Sequence, residues 1–108
     1  MKPTFLELRH LRTLLALKET GSVSMAAKRV YLTQSALSHQ IKLMEEQFGL
    51  PLFERKSNPL RFTAAGDRLI RLANEILPKV IDAERELARV KHGDAGQLRI
   101  AVECHTCF

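Results

Sequence analysis

Side chains that could bind nucleic acid are concentrated in the stretch that follows Thr33. If this stretch is helical, Leu37, Ile41, Met44 and Phe48 share one apolar face, because they are spaced four, three and four residues apart. The opposite face carries side chains that can hydrogen-bond to a base edge or a phosphate, namely Gln34, Ser35, Ser38, His39 and Lys42. This pattern predicts a recognition helix whose polar face enters the major groove of DNA.

The residues before Thr33 predict a second, shorter helix that would complete a helix-turn-helix. Ser22 is a suitable N-cap, because its hydroxyl can accept from an unpaired backbone N–H of the first turn, and Thr33 can cap the following helix in the same way. Between these caps, Ala26 and Ala27 form a narrow stripe that allows another helix to approach closely. The alternative is a pair of ordinary amphipathic helices with a solvated face. The turn has Tyr31 and Leu32 rather than the glycine that is frequent there.

A first helix is predicted over Glu7 to Thr20. Leu8, Leu11 and Leu15 form one stripe, which Leu14 and Leu17 widen. Gly21 is a suitable residue for the end of this helix. The leucines are expected to pack on Ala26, Ala27, Leu37 and Ile41, giving a three-helix core.

A short basic hairpin is predicted after the recognition helix. Two apolar-polar runs, 52–55 and 60–62, flank an Asn-Pro turn. The hairpin carries Arg55, Lys56 and Arg61, which are well placed to meet phosphates or a minor groove. A three-helix core followed by such a hairpin is a winged helix-turn-helix. The alternative for Lys56 is a solvated turn, and for Arg55 a structural ion pair with Glu45.

The distribution of charge supports a polyanionic partner. Of the net charge of +5, residues 1–62 contribute ten Lys and Arg against five Asp and Glu, whereas residues 63–108 hold seven of each. All of the excess positive charge therefore lies with the predicted helix-turn-helix. A charge that served only solubility would have no reason to segregate in this way.

A long helix is predicted from Thr63, as its cap, to about Lys91. Its heptad seam has steps of four and three residues and comprises Leu69, Ala73, Ile76, Val80, Ala83, Leu87 and Val90. Ile70, Leu77 and Ile81 form a second apolar stripe. We therefore expect one face of the long helix to pack on the head, which is the helix-turn-helix domain before it, and the other face to pack on a second copy of the chain. Pro78 lies in register with the seam, which favours one kinked helix over two helices.

The predicted fold class is therefore mainly α, a winged helix-turn-helix followed by a long dimerisation linker helix. The predicted divisions are a DNA-binding domain at 1–62, a linker helix at 63–92, and a hinge with the first strand of a second domain at 93–108. No apolar run approaches the roughly 20 residues of a membrane span, and the N-terminus is not a signal peptide, so a cytoplasmic protein is expected. The sequence contains no Ser/His/Asp set, no paired carboxylates and no Gly-rich phosphate loop. We therefore do not expect an enzyme.

Two alternatives belong to other functional classes. Cys104 and Cys107 form a C-x-x-C, which could be a redox pair or half of a zinc site. A zinc site needs further ligands, and the other histidines are distant in sequence. A redox motif should open a helix, yet only one residue follows Cys107. We therefore expect neither a metal nor a cofactor. A purely structural dimerisation module is the second alternative, but it explains neither the charge segregation nor the polar helix face.

More than half of the chain resembles the DNA-binding head of LysR-type transcriptional regulators. The residues that carry the resemblance are 7–11, Gly21-Ser22, Ala26-Ala27, 33–38, Ile41, Glu45, Gly49, 52–55 and 63–66. Most members have Pro where this chain has Ser35. Within the family, the stretch 56–63 and the ending 99–107 look most like the regulators of methionine biosynthesis, with a regulator of another pathway as the alternative.

The resemblance implies a division of labour among the polar residues. Gln34, Ser35, Ser38 and His39 would face bases, and Arg55 would reach the minor groove. Ser22, Ser24, Thr33 and Lys42 would meet phosphates. It further implies promoter DNA as partner, dimers through antiparallel linker helices, tetramers of the full-length protein, and homocysteine as its co-inducer.

Overall fold

The computed structural model describes residues 4–54 and 59–91, and these form four helices and one two-stranded sheet. In chain order the elements are α1 (Leu8–Thr20), α2 (Val23–Arg29), α3 (Gln34–Phe48), β1 (Phe53–Glu54), β2 (Arg61–Phe62) and α4 (Ala64–Lys91). The strands are antiparallel, with Phe53 opposite Phe62 and Glu54 opposite Arg61. The predicted fold class is confirmed. The predictions for residues 92–108 lie outside the described residues.

Hydroxyl groups begin three of the helices at the positions that the sequence predicts. The side chain of Ser22 accepts from the N–H of Met25 at 3.3 Å at the start of α2. At the start of α3, Thr33 accepts from the N–H of Ala36 at 3.0 Å. Thr63 caps α4 in the same way, accepting from the N–H of Gly66 at 3.2 Å. These bonds satisfy amides that have no partner within their own helix.

The turn between α2 and α3 ends the shorter helix in a Schellman arrangement without glycine. The N–H of Leu32 donates to the carbonyl of Ala27 at 2.9 Å, and that of Tyr31 donates to Lys28 at 3.3 Å. This pattern requires a left-handed backbone at the residue after the helix C-cap, where glycine is usual. Here that residue is Tyr31, with φ of 61°. The turn therefore has a tyrosine in a backbone conformation that is unfavourable for residues with a Cβ.

Among the described residues, three apolar clusters hold the first three helices, the hairpin strands and the first half of α4 together. The first joins α1 to the helix-turn-helix through Leu17, Ala26, Ala27 and Leu37, with Ile41 packed against it, as the sequence predicts. The second joins Leu14 of α1, Met44 of α3, Leu52 and Ile70 of α4. The third is formed by Leu11, Ala73 and Leu77. The three-helix core is therefore completed by the beginning of α4.

The described chain divides into two units within α4, after Leu77. Ile70, Ala73 and Leu77 are buried in the first unit, so the first half of α4 belongs to the head by packing, although the sequence places a domain boundary before it. Ala73 has no exposed surface. Its prediction as a dimer contact is wrong, because a side chain enclosed in one head cannot meet a second copy.

The second unit is described over 78–91, the remainder of α4. Pro78 lies inside the helix, which confirms one continuous element. Its predicted kink stays a prediction. Ile81 and Leu87 of this unit are exposed. Within the described ranges, no helix combines the length and apolar character needed to cross a bilayer.

Candidate nucleic-acid interface

The polar face of α3 forms one continuous surface. The five side chains that the sequence singles out are all exposed. They also line a single shallow depression of about 570 Å³, whose walls are Gln34, Ser35, Ser38, His39 and Lys42. The structure therefore brings together amide, hydroxyl, imidazole and ammonium groups over about two and a half turns of one helix. Such a set can read base edges and hold a phosphate at the same time.

The opposite face of α3 determines which way the polar face points. Leu37 and Met44 have no exposed surface, and Ile41 between them is half-buried against both helical clusters. Rotating α3 about its axis would expose these side chains to water, at a cost of about 1.5–3 kcal/mol for each fully buried one. The polar face is therefore held rigidly toward solvent.

Three hydroxyls predicted to meet phosphates lie at the starts of α2 and α3. The Ser22 and Ser24 hydroxyls are 3.2 Å apart. The Thr33 hydroxyl lies 3.4 Å from that of Ser35. Ser22 and Thr33 already accept capping bonds from the backbone. Because a hydroxyl has one donor and two lone pairs, each can accept the capping bond and still donate to a phosphate oxygen.

The hairpin presents one of its three predicted cations within the described residues. Arg61 is exposed on β2, directly opposite Glu54 in the register of the strands. Arg55 and Lys56 lie outside the described residues, so their predicted contacts remain predictions.

Glu45 makes a contact that the sequence does not reveal. Its carboxylate accepts from the backbone N–H of Leu52 at 2.8 Å. The sequence suggests a pair with Arg55, because charges are visible in a sequence whereas a free backbone amide is not. The observed bond gives Glu45 a structural role that does not depend on Arg55.

His10 is a buried titratable residue of α1. It is 4% exposed, and its ring stacks on Phe5 with centroids 5.0 Å apart. Burial lowers the pKa of His10 below 6.5, the positive charge of Arg9 lowers it further, and the charge of Glu7 partly offsets both effects. His10 is therefore favoured as the neutral imidazole. The sequence gives only a weak signal of its capping role, namely that His10 is the third residue after Glu7, the N-cap of α1.

The described part of the chain contains no group of three His, Cys, Asp or Glu side chains able to hold a metal ion. Cys104 and Cys107 lie outside it.

Comparison with known protein families identifies the fold just described. A family model of bacterial regulatory helix-turn-helix proteins of the lysR family matches residues 8–67, from the start of α1 into α4. The matched stretch contains the polar face of α3 and the hairpin. The chain belongs to the LysR family.

Relatives within the LysR family are close. The chain is 92% identical, over all of its 108 residues, to the HTH-type transcriptional regulator MetR of Haemophilus influenzae. It is 47% identical over 103 residues, 95% of the chain, to the MetR of Escherichia coli K12. It spans 35% of the first protein and 32% of the second, about a third of the length of these curated relatives.

Solved structures of other LysR-family proteins share the fold. The DNA-binding domain of BenM in complex with catB site 1 DNA is 34% identical, with a TM-score of 0.74 over 83% of this chain and 97% of that one. Vibrio fischeri DarR in complex with DNA is 25% identical, with a TM-score of 0.71 over 85% of this chain and 32% of that one. The resemblance stated from the sequence is thereby confirmed.

Proposed function

We propose that this chain is the DNA-binding part of a LysR-type transcriptional regulator that controls methionine-biosynthesis genes. The observation that carries the proposal is the polar face of α3. Five base- or phosphate-binding side chains line one exposed depression, while the buried face of the same helix fixes their direction. The confinement of the excess positive charge to residues 1–62 supports a DNA partner. The 92% identity to a MetR supports the methionine pathway.

The contacts divide between reading and positioning. Gln34, Ser35, Ser38 and His39 face base edges in the major groove, where a Gln amide can bond an adenine in two places. Ser22, Ser24, Thr33 and Lys42 hold phosphates and set the register of the helix. The wing, which is the hairpin over residues 52–62, adds Arg61. The contacts of Arg55 and Lys56 with DNA are proposed from the sequence alone.

The regulator acts as a dimer through the second unit of α4. Leu87 and Ala83 are exposed on the predicted seam, and Val80 and Val90 flank them half-buried. Leu69 and Ile76, by contrast, pack partly against the clusters of the head. We therefore restrict the proposed dimer contact to Val80, Ala83, Leu87 and Val90. The longer protein assembles as a tetramer, works in the cytoplasm and takes homocysteine as co-inducer.

A binding titration tests the proposal directly. A labelled duplex from a methionine-gene promoter and a scrambled duplex are titrated with the 108-residue chain at 50 and 200 mM salt. We expect the promoter to be bound at least 10³-fold more tightly than the scrambled duplex, as is typical of specific regulators, and both affinities to fall steeply with salt. Equal affinities for the two duplexes would contradict the proposal. Homocysteine is tested separately on the longer protein.

A further inference from the structure

We infer that Glu45 is a positioning residue that holds the wing at a fixed place beside the recognition helix. The inference rests on the proposed DNA-binding function. Glu45 lies near the end of α3, and its carboxylate accepts from the N–H of Leu52, the residue that precedes β1, at 2.8 Å. A partly buried bond to a carboxylate is stronger than a bond between neutral groups. One side chain thus ties the reading helix to the hairpin.

The backbone around Leu52, whose N–H is bound by Glu45, is also held by Thr63 at the end of the hairpin. The carbonyl of Leu52 accepts from the N–H of Thr63 at 3.0 Å, just after β2. The hydroxyl of Thr63 donates to the carbonyl of Pro51 at 2.6 Å. The side chain of Leu52 is 1% exposed and packs with Leu14, Met44 and Ile70. Both ends of the hairpin are therefore fixed at one point, and Glu45 supplies the link from that point to α3.

The same side chain lies where the two predicted DNA-contacting surfaces meet. A groove of about 360 Å³ is lined by Ser38, Lys42 and Glu45 of α3 on one side, and by Phe53, Glu54 and Leu60 of the hairpin region on the other. A negative charge beside a DNA-binding helix opposes the approach of phosphates. The bond from Glu45 to the Leu52 amide stabilises the position of the hairpin, which offsets the cost of this repulsion. Removing the bond should release the wing while leaving the polar face of α3 in place.

The test compares two neutral replacements of similar length. Glu45→Gln keeps a carbonyl that can accept from Leu52, whereas Glu45→Met does not. Since both remove the same charge, any difference between them reports the hydrogen bond. Glu46→Met, at an exposed neighbour on α3, controls for the introduced methionine. Each chain is checked for folding by circular dichroism, and then titrated with promoter and scrambled duplexes across a salt series.

The readout is the slope of log K against log salt, which changes by about one for each phosphate that the protein no longer neutralises. We expect Glu45→Met to reduce the slope by one to two relative to Glu45→Gln, and to weaken binding to both duplexes about tenfold at low salt. The ratio of promoter to scrambled affinity should stay within twofold. A merely structural role would lower the active fraction of protein without changing the slope.

A second arm tests whether Glu45 acts through the wing. Arg61→Met should reduce the slope by about one in the parent chain and in Glu45→Gln, but not in Glu45→Met, where the wing is already released. If Glu45→Met does not fold, Glu45→Asp replaces it and is compared with the parent chain, because Asp keeps the same charge but falls short of the Leu52 amide. Equal slopes for the Gln and Met variants (or for the parent and Asp chains), or additive reductions with Arg61→Met, would overturn the inference. A parent chain that does not prefer the promoter would instead contradict the proposed function.

Discussion

The backbone N–H of Glu7 donates to Nδ1 of His10 at 2.9 Å, so the first turn of α1 is closed by a neutral imidazole. Protonating Nδ1 would replace this acceptor with a second donor. The bond, the burial of His10 and the nearby Arg9 all favour the neutral ring. His39 of α3 lines the same cavity as His10.

The first prediction is a loss of stability in mild acid. Because the pKa of His10 is lower in the folded chain than 6.5, its ordinary value, the unfolded chain binds the proton more tightly. The contribution of His10 to the free energy of unfolding is therefore complete above about pH 6.5 and is lost as the pH falls below that value. We expect the urea midpoint to be lower at pH 5 than at pH 7.5. In His10→Gln, which keeps an acceptor at this position, the difference should shrink. In His39→Gln, an exposed histidine, it should persist; similar behaviour of the two variants would contradict the assignment.

The second prediction concerns the strained turn. Tyr31 is 93% exposed, so its side chain contributes little packing, yet its backbone has φ of 61°. Tyr31→Gly should raise the free energy of unfolding by about 1 kcal/mol, because glycine adopts this conformation without steric cost. Tyr31→Ala is the matched control, since it removes the ring but keeps Cβ. Equal stabilisation by both replacements in urea unfolding would assign the effect to the ring rather than to the backbone.

The third prediction concerns the close approach of α4 to the hairpin. A Cβ added to Gly66 would lie 2.8 Å from Cδ2 of Phe62 and closer still to the carbonyl oxygen of Leu52. The backbone carbonyl and a partly buried, packed ring cannot move aside easily, so Gly66→Ala should destabilise the head by about 1–3 kcal/mol, despite the better helix propensity of alanine. Asn74→Ala, at an exposed position of α4, should be neutral or slightly stabilising. Thermal melts that rank these two variants in the opposite order would show that the contact can relax.

The fourth prediction concerns base reading. Gln34 is exposed at the first residue of α3, where recognition helices contact base edges. Gln34→Ala should weaken promoter binding by about 1–3 kcal/mol and leave binding to a scrambled duplex unchanged. Gln47→Ala, at an exposed position near the other end of the same helix, should affect neither. Equal losses on both duplexes for Gln34→Ala would mean that this side chain only positions the backbone.

The fifth prediction concerns the dimer. Leu87 is 58% exposed on the seam of the second unit, and Leu87→Asp places a charge in the proposed contact. We expect sedimentation to show a monomer, and binding to a two-half-site promoter to collapse, because linkage supplies the effective concentration of the second head. Arg85→Asp introduces the same side chain on the opposite face of the helix and should remain dimeric. A dimer that survives Leu87→Asp would exclude this seam.

Local patterns in the sequence determine the helices, the three hydroxyl caps and the polar face of α3. Each depends on neighbours within one or two turns, so spacing and residue type are sufficient to predict them. The tertiary structure alone decides which apolar face is used and which backbone groups need a partner. Ala73 fits a heptad seam by its position, but the approach of α1 encloses it within the head. Glu45 appears in the sequence only as a charge. Its partner is a backbone amide seven residues away, which every residue type except proline carries, and only the folded chain brings the two together.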